Sequence, residues 1–208
     1  MAHPTYKNKA TQRVPSVTGI IGKRKDADGM IYRAWELGIQ GKDYRVEWGN
    51  KAYSGTLAHS MIHREPIDLT QYPPEIVSKA EQAVRNYNNW KSQSHMESVC
   101  SEISLVCECY QYGGTIDDVW MLNGKRSIGD IKTGKLYPDH LIQVAAYKHL
   151  WECNHPLEPI DGGFHLLHFD KETADFGHKH FTELEDAWQM FLHLRAAYDL
   201  ANKLKEKV

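Results

Sequence analysis

The sequence predicts an α/β fold, in which helices cover both faces of a central mixed β-sheet of about four or five strands. Apolar residues recur at helical spacing in the first half of the chain, whereas residues 99–112 alternate between apolar and polar side chains, as a half-buried strand does. Asn123-Gly124 then separates two strand-like runs, 114–122 and 126–132, and is the strongest short-range signal for a β-hairpin. The N-terminal helices should therefore form a wall against a sheet built from the second half.

The elements of the wall follow from local signals. A short element at 16–22 ends at glycine, and residues 30–37 have helical apolar spacing. A second helix is expected to begin after Gly55, with Thr56 as its N-cap, and to end before Pro66. A longer helix follows the proline pair at 73–74, because proline suits a first helical turn.

The elements expected after the hairpin are a helix at 139–152, strands at 163–169 and 174–181, and a helix from about Glu183. Thr182 and Glu185 have the spacing of a capping box at the start of this last helix. Residues 1–14 are polar and without periodicity, which predicts a loose, flexible arm or an edge segment. Residues 15–208 are expected to form a single domain.

Composition restricts the setting of the protein. No apolar run approaches the about 20 residues that a membrane helix needs, and the N-terminus lacks the apolar core of a secretion signal. We expect a cytoplasmic protein, of a bacterium or a phage-infected cell, with no membrane partner. The net charge of −2 does not exclude a nucleic-acid partner, because local clusters such as Lys23-Arg24-Lys25, or Lys132 with Lys135, would suffice for phosphate contacts. A solvated loop is the alternative interpretation of the first cluster.

The four cysteines, Cys100, Cys107, Cys109 and Cys153, are expected to be reduced thiols. No CxxC spacing is present, so no iron-sulfur cluster is expected. Buried, small apolar side chains are the simpler interpretation.

The hairpin places two aspartates together. If Asn123-Gly124 is a two-residue turn, Leu122 pairs with Lys125, and the same register makes Asp117 face Asp130. Directly opposed side chains have Cβ atoms about 5 Å apart, so two carboxylates there repel each other unless a cation lies between them. Hard divalent ions such as Mg²⁺ and Mn²⁺ prefer such oxygen ligands.

Lys132 follows Asp130 by two residues, so the strand period places its ammonium group on the same face. There it could orient or help deprotonate an attacking water and offset negative charge on a phosphorus centre. The alternative is a solvated face on which these three residues only form salt bridges.

At this point the sequence resembles the PD-(D/E)XK nuclease superfamily, in particular its RecB-like and phage-type exonuclease branch. The resemblance covers residues 16–151. The opening Pro15-Ser16-Val17-Thr18, followed by Trp35, also resembles the N-terminal portion of phage members and of the mitochondrial genome maintenance exonuclease. The matching motifs, in the order of the family, are Gly55-Thr56-Leu57-Ala58-His59, Gly114-Thr115-Ile116-Asp117, Asp130-Ile131-Lys132-Thr133-Gly134 and the pair Gln143 and Tyr147. An acidic residue on the first strand, Glu102 or Glu108, completes the pattern.

The resemblance implies a restriction-endonuclease-like core and assigns roles by motif position. The catalytic residues it implies are Asp117, Asp130, Lys132, Glu102, Gln143 and Tyr147. The metal ligands it implies are His59, Asp117, Asp130 and the carbonyl of Ile131, holding Mg²⁺ or Mn²⁺. The substrate-binding residues are expected to be Thr133, Lys135, Ser16, Thr18 and Trp35. From spacing alone, His59 and His63 could equally suggest zinc, because they are one helical turn apart.

These patterns predict a metal-dependent deoxyribonuclease, first of all an end-processing exonuclease in DNA replication, recombination or repair. Its partners would be single-stranded DNA or duplex ends, with a replication or recombination protein as a further candidate. The alternatives are a structure-specific endonuclease, a non-cleaving DNA-binding or assembly subunit, and a zinc-binding structural protein. Polarity, strand preference, the number of metal ions and the oligomeric state do not follow from the sequence.

Overall fold

The computed structural model describes residues 4–22, 28–170 and 175–207; for 28–30 and 48–56 only the backbone is described. The Lys23-Arg24-Lys25 cluster and the side chain of the expected cap Thr56 therefore lie outside the described residues.

Residues 4–14 contain a short two-stranded ribbon. Strands β1 (Tyr6–Lys7) and β2 (Arg13–Val14) pair antiparallel, and helix α1 (Val17–Ile21) follows. The Tyr6 ring packs on Gly113, where an added Cβ would come within 2.4 Å of it, and its hydroxyl lies 2.9 Å from Thr115 Oγ1. Buried Tyr6 and Val14 anchor this otherwise polar run, which is the arrangement of the edge-segment alternative.

The helical wall consists of α2 (Asp28–Ile39), α3 (Tyr44–Ile62), a 3-10 turn at Leu69–Gln71 and α4 (Pro74–Gln93). The start expected at Thr56 is wrong, because α3 begins at Tyr44. Asp43 caps it by accepting the Arg45 backbone N–H at 2.8 Å, and the helix continues through Gly55 despite the low helix propensity of glycine.

Five strands form the central sheet in the order β3-β4-β5-β6-β7. Their bounds are Glu97–Cys107, Tyr112–Leu122, Lys125–Thr133, Phe164–Phe169 and Phe176–Phe181. The β5–β6 pair is parallel and the other three pairs are antiparallel, which confirms the expected mixed sheet flanked by helices. Helix α5 (Pro138–Asn154) connects the parallel strands, as such a crossover requires.

The β4–β5 hairpin has the predicted register. Asn123 and Gly124 have φ values of 51° and 76°, as a two-residue turn of this kind requires, and the ladder runs from Leu122↔Lys125 to Asp118↔Gly129. This continuous ladder ends one pair before Asp117 and Asp130.

Two apolar clusters cover the two faces of the sheet. The first, which we call the α5-side cluster, packs α1, α5 and α6 (Glu185–Lys205) against sheet residues such as Ile116, Val119 and Ile128. The second, which we call the wall cluster, packs the helical wall against Trp120, Ile131 and Leu167.

The predicted capping box at Thr182 and Glu185 is wrong. Helix α6 begins at Glu185 itself, its N-cap is Leu184, and no side chain caps it. Glu185 and Asp186 instead place negative charge in the first turn, where the helix dipole favours it.

The cysteines are free thiols, but they are not uniformly buried. Cys107 is buried and Cys100 is partly buried, whereas Cys109 and Cys153 are exposed. Cys107 Sγ lies 3.0 Å from Cys153 Sγ, and Cys107 belongs to the α5-side cluster. Within the described residues, no helix combines the length and apolar character needed to cross a membrane.

Candidate active site

The site lies where β4 and β5 separate beyond their ladder. Lys132 Nζ donates a hydrogen bond of 2.7 Å to Asp130 Oδ1 and lies 3.9 Å from Asp117 Oδ2. Both carboxyl groups thus approach the same ammonium group, one from each strand of the hairpin. The structure thus brings together the three residues that the hairpin register predicts to share one face.

An irregularity in the edge strand adds an acid to this site. On the neighbouring strand β4, the side chains of Ile116 and Val119 both face the α5-side cluster. Strict alternation of side chains would leave one residue between two that share a face, but here two residues, Asp117 and Asp118, lie between them. On β3, the pairs Ser101↔Asp118 and Ile103↔Ile116 flank Glu102, whose φ of 51° is unusual for a residue other than glycine. Strained backbone of this kind clusters at functional sites. Consequently both Asp117 and Asp118 turn away from that cluster.

Helix α3 contributes two histidines to the same site. The rings of His59 and His63, one turn apart, have centroids 4.5 Å apart. His59 Nε2 lies 3.7 Å from Asp117 Oδ2, and His59 Nδ1 lies 3.8 Å from Glu102 Oε1. His59 thus stands beside the aspartate with which the resemblance groups it.

Motif matching missed His63 and Asp118. His63 Nε2 lies 3.9 Å from Glu102 Oε1 and 3.7 Å from Asp118 Oδ2. The helical spacing from His59 was the available signal for His63, because residues four apart share a helix face. Asp118 had no such signal, because simple alternation directs it away from Asp117.

Of the two candidate acids on the first strand, the structure places Glu102 in the site. Glu108 follows the end of β3, and its Oε1 accepts the Lys9 backbone N–H at 2.8 Å. Glu108 thus interacts with the loop between β1 and β2 rather than with the histidines.

Helix α5 places Tyr147 close enough to Asp117 and Asp130 for their charges to raise its pKa, and Gln143 contacts Tyr147. Gln143 Nε2 donates to the Tyr147 hydroxyl at 2.8 Å. Burial, and secondarily the charge of Asp117, raises the pKa of the buried Tyr147 well above its usual value. Tyr147 therefore stays a neutral phenol near the two carboxyl groups.

The remaining predicted residues lie further out. The Ile131 side chain is buried in the wall cluster, Thr133 is the last residue of β5, and Lys135 is exposed just beyond it. Ser16 caps α1 by accepting the Gly19 N–H, and Thr18 is exposed nearby. Trp35 lies on α2 with 59% of its surface exposed, beside Tyr32.

The electrostatics of the site separate the roles of its two central aspartates. Burial opposes ionisation of Asp117, but the neighbouring His59 and the charge of Lys132 outweigh burial and lower the pKa of Asp117. Burial raises the pKa of Asp130, although Lys132 partly compensates. Burial disfavours the charged form of Lys132 as well, yet Asp130 and Asp117 raise its pKa. Lys132 therefore remains an ammonium group at neutral pH.

The wall residues are perturbed too. Burial tends to lower the pKa of His59, but the neighbouring carboxylate of Asp117 raises it overall. Burial and the neighbouring His59 lower the pKa of His63. Burial raises the pKa of Glu102, and it raises that of Asp118 to about 7, with Asp117 adding to both shifts.

The donor set fits a divalent cation. Asp130 Oδ2, Asp118 Oδ2 and His63 Nε2 are buried without a hydrogen-bond partner, which is costly for polar atoms unless an ion or another ligand satisfies them. One ligand atom from each of His59, His63 and Glu102 lies within 4.8 Å of the others. Carboxylates with imidazoles are the donors that divalent transition metals take, and the carboxylates alone suit Mg²⁺.

Comparison with known proteins identifies the fold and not the family. No protein-family model and no curated protein matches the chain. It is similar to the solved structure of a protein from Eubacterium rectale that is provisionally named an exonuclease, with 14% identity and a TM-score of 0.50 over 71% of this chain and 68% of that one. It also matches the structure of SSO0001, with 16% identity and a TM-score of 0.38, over 63% of this chain and 62% of that one. The similarity to the E. rectale structure shows a shared fold.

Proposed function

We propose that this chain is a metal-dependent deoxyribonuclease that hydrolyses DNA phosphodiester bonds. One observation carries the proposal: Lys132, Asp130 and Asp117 meet beyond the hairpin, and His59 approaches Asp117 from the wall. A site that holds a divalent cation and keeps a lysine protonated beside it suits a reaction in which negative charge accumulates on phosphorus. DNA as the substrate comes from the resemblance to the PD-(D/E)XK nucleases.

Each residue has a defined task in this proposal. Asp117, Asp130 and His59 would hold the cation, together with the backbone carbonyl of Ile131. When bound, a divalent cation supplies positive charge to the scissile phosphate and favours ionisation of an attacking water. The Asp130 oxygen without a hydrogen-bond partner is available for this purpose, while the other accepts from Lys132.

Lys132 acts as a fixed positive charge. Its raised pKa means that it holds its proton at neutral pH, so it orients the nucleophilic water and stabilises the developing negative charge by donating hydrogen bonds. Its short bond to Asp130 fixes the ammonium group before the substrate arrives.

Gln143 and Tyr147 would orient the DNA. The Gln143 amide is tethered through its N–H to the Tyr147 hydroxyl, so its carbonyl oxygen faces a defined direction. Tyr147 is buried and neutral, which allows its hydroxyl to donate towards a phosphate or a carboxylate in the site. Thr133, Lys135, Ser16, Thr18 and Trp35 are proposed as further substrate contacts.

Exonucleolytic end processing is the preferred form of the activity. The name of the E. rectale protein supports it, and so does the resemblance to the phage-type branch. A structure-specific endonuclease uses the same chemistry and is distinguished by its products. The zinc-protein alternative loses support, because Cys107 belongs to the α5-side cluster and Cys153 contacts Cys107, whereas His59 and His63 lie on the wall.

A cleavage assay tests the proposal. Purified wild type and Asp130→Ala are incubated with end-labelled linear DNA and with covalently closed circular DNA, in Mg²⁺, Mn²⁺ or EDTA. We expect wild type to degrade linear DNA in a metal-dependent manner and to leave circles intact, and we expect Asp130→Ala to be inactive. Cutting of circles would make the enzyme an endonuclease. Cleavage that persists in EDTA or in Asp130→Ala would overturn the proposed mechanism.

A further inference from the structure

A second group of potential ligands lies beside the site just described. It consists of His63, Glu102 and Asp118, which we call the second cation pocket. His63 is its centre, because its Nε2 lies 3.9 Å from Glu102 Oε1 and 3.7 Å from Asp118 Oδ2. Both distances are too long for a hydrogen bond, although all three groups are polar.

Two of the three groups are buried and unsatisfied. The side chain of His63 is 6% exposed and that of Asp118 is 3% exposed. His63 Nε2 and Asp118 Oδ2, the atoms that face each other, have no hydrogen-bond partner. The Trp120 indole is close enough to lower the pKa of Asp118, but its Nε1 makes no hydrogen bond either. Buried polar atoms without partners mark a place where a ligand is needed.

The neighbouring residues orient this pocket. Ser101 Oγ donates to Asp118 Oδ1 at 2.6 Å, which fixes the carboxylate and leaves Oδ2 for the pocket. Outer partners of this kind typically orient metal-binding carboxylates. The left-handed backbone of Glu102 turns its side chain towards the histidines, and 40% of that side chain is exposed. A cation could therefore reach the pocket from solvent at the Glu102 carboxylate.

The spacing suits an ion. Two ligand atoms each about 2.1 Å from a tetrahedral ion lie about 3.4 Å apart. The observed separations of 3.7 and 3.9 Å would close by a few tenths of an ångström around such an ion. One imidazole and two carboxylates favour first-row transition metals over Mg²⁺, which prefers an all-oxygen shell.

We propose that His63, Glu102 and Asp118 bind a second divalent cation, of the transition-metal class, next to the cation held by Asp117, Asp130 and His59. The inference rests on the proposed function only for that first cation. The site would then be a two-ion centre whose second position depends on a histidine and an aspartate outside the nuclease motifs.

Equilibrium Mn²⁺ binding tests this proposal without relying on cleavage. The number of ions bound per chain is measured by electron paramagnetic resonance of free Mn²⁺ and by calorimetry, for wild type, His63→Gln, Asp118→Asn and Asp130→Ala. We expect two ions for wild type and one for each variant. A tenfold excess of Mg²⁺ should displace the ion in Asp118→Asn and His63→Gln more readily than the second ion of wild type.

His149→Ala is the matched control, because His149 is also a half-buried helical histidine but stacks on Trp188. It should bind two ions. If His63→Gln does not fold, Asp118→Asn tests the same pocket, since asparagine can still accept from Ser101. A wild type that binds one ion, or pocket variants that bind two, would overturn the proposal. Failure of the nuclease proposal is distinct, because it would appear as absent cleavage whatever the stoichiometry.

Discussion

Lys132 Nζ and Asp130 Oδ1 are joined by a 2.7 Å hydrogen bond between residues two apart on one strand, with no exposed surface left on the Asp130 side chain. A strand directs both side chains to the same face, and the hairpin turn brings Asp117 within 3.9 Å of the same ammonium group. This arrangement concentrates a buried positive charge between two acids.

Removing that positive charge should affect the reaction more than substrate binding. We expect Lys132→Met to lower the cleavage rate constant by about 10²- to 10³-fold, the range for losing one preorganised donor in an active site. DNA affinity should change by only a few-fold. Lys125→Met is the control, because Lys125 is an exposed lysine on the same strand. Single-turnover kinetics with saturating DNA provide the measurement, and equal rates for the two variants would contradict the role of Lys132.

Two buried tyrosines allow a comparison of structural and functional effects. Tyr147 accepts from Gln143, whereas the Tyr112 hydroxyl donates to the Ala146 carbonyl at 2.9 Å. Replacing either tyrosine by phenylalanine removes one buried hydrogen bond, so each should lower the free energy of unfolding by about 1 kcal/mol. Only Tyr147→Phe should also reduce cleavage, because only Tyr147 lies beside the aspartates. Urea denaturation and cleavage assays check this, and equal activity losses would argue against the proposed orienting role.

Asp118 should make the metal-free protein less stable as the pH rises. Burial raises its pKa to about 7, above the usual value of 3.8, so the folded state binds the proton more tightly than the unfolded state. The cost is absent below about pH 4, grows between pH 4 and 7, and is complete above pH 7. A shift of this size corresponds to a few kcal/mol at most.

Asp118→Asn removes this titration and keeps an acceptor for Ser101. In EDTA we expect the variant to be more stable than wild type at pH 8, and nearly equal at pH 4. Urea denaturation at both pH values measures the difference. A variant that is equally destabilised at both would show that the carboxyl group is not strained in the folded state.

Trp35 tests the proposed substrate surface. Its ring lies 5.6 Å from that of Tyr32, and both rings are largely exposed on α2. Stacking of one base on an aromatic side chain contributes about 1–3 kcal/mol to single-strand binding. Trp35→Ala should therefore raise KM for single-stranded DNA about fivefold or more, with kcat and thermal stability nearly unchanged. The exposed Leu157→Ala serves as the control. An unchanged KM would remove Trp35 from the substrate path.

Local sequence signals predicted the relative positions of Asp117, Asp130 and Lys132. The Asn123-Gly124 turn fixes the register of β4 and β5 within a few residues, and the strand period then places Lys132 beside Asp130. The mixed five-stranded sheet followed from the pattern of strands and the helical crossover. These features depend on interactions between residues close in sequence.

The features that the sequence did not predict depend on distant contacts. The ribbon formed by β1 and β2 joins the sheet through Tyr6, which packs on Gly113 more than one hundred residues away. The irregular strand at Glu102 changes which residues face the wall, and no local signal marks it. His63 and Asp118 join the site because the fold brings α3 to β4, placing His63 Nε2 3.7 Å from Asp118 Oδ2.

Single-turnover cleavage by Asp130→Asn tests the central claim most directly. Wild type, Asp130→Asn and the exposed-surface control Asp186→Asn are mixed with end-labelled DNA in Mn²⁺, and parallel reactions contain EDTA. We expect metal-dependent cleavage by wild type and Asp186→Asn, and a loss of about 10²- to 10³-fold or more in Asp130→Asn, since one preorganised active-site group contributes on that order. Comparable cleavage by Asp130→Asn, or cleavage by wild type in EDTA, would contradict it.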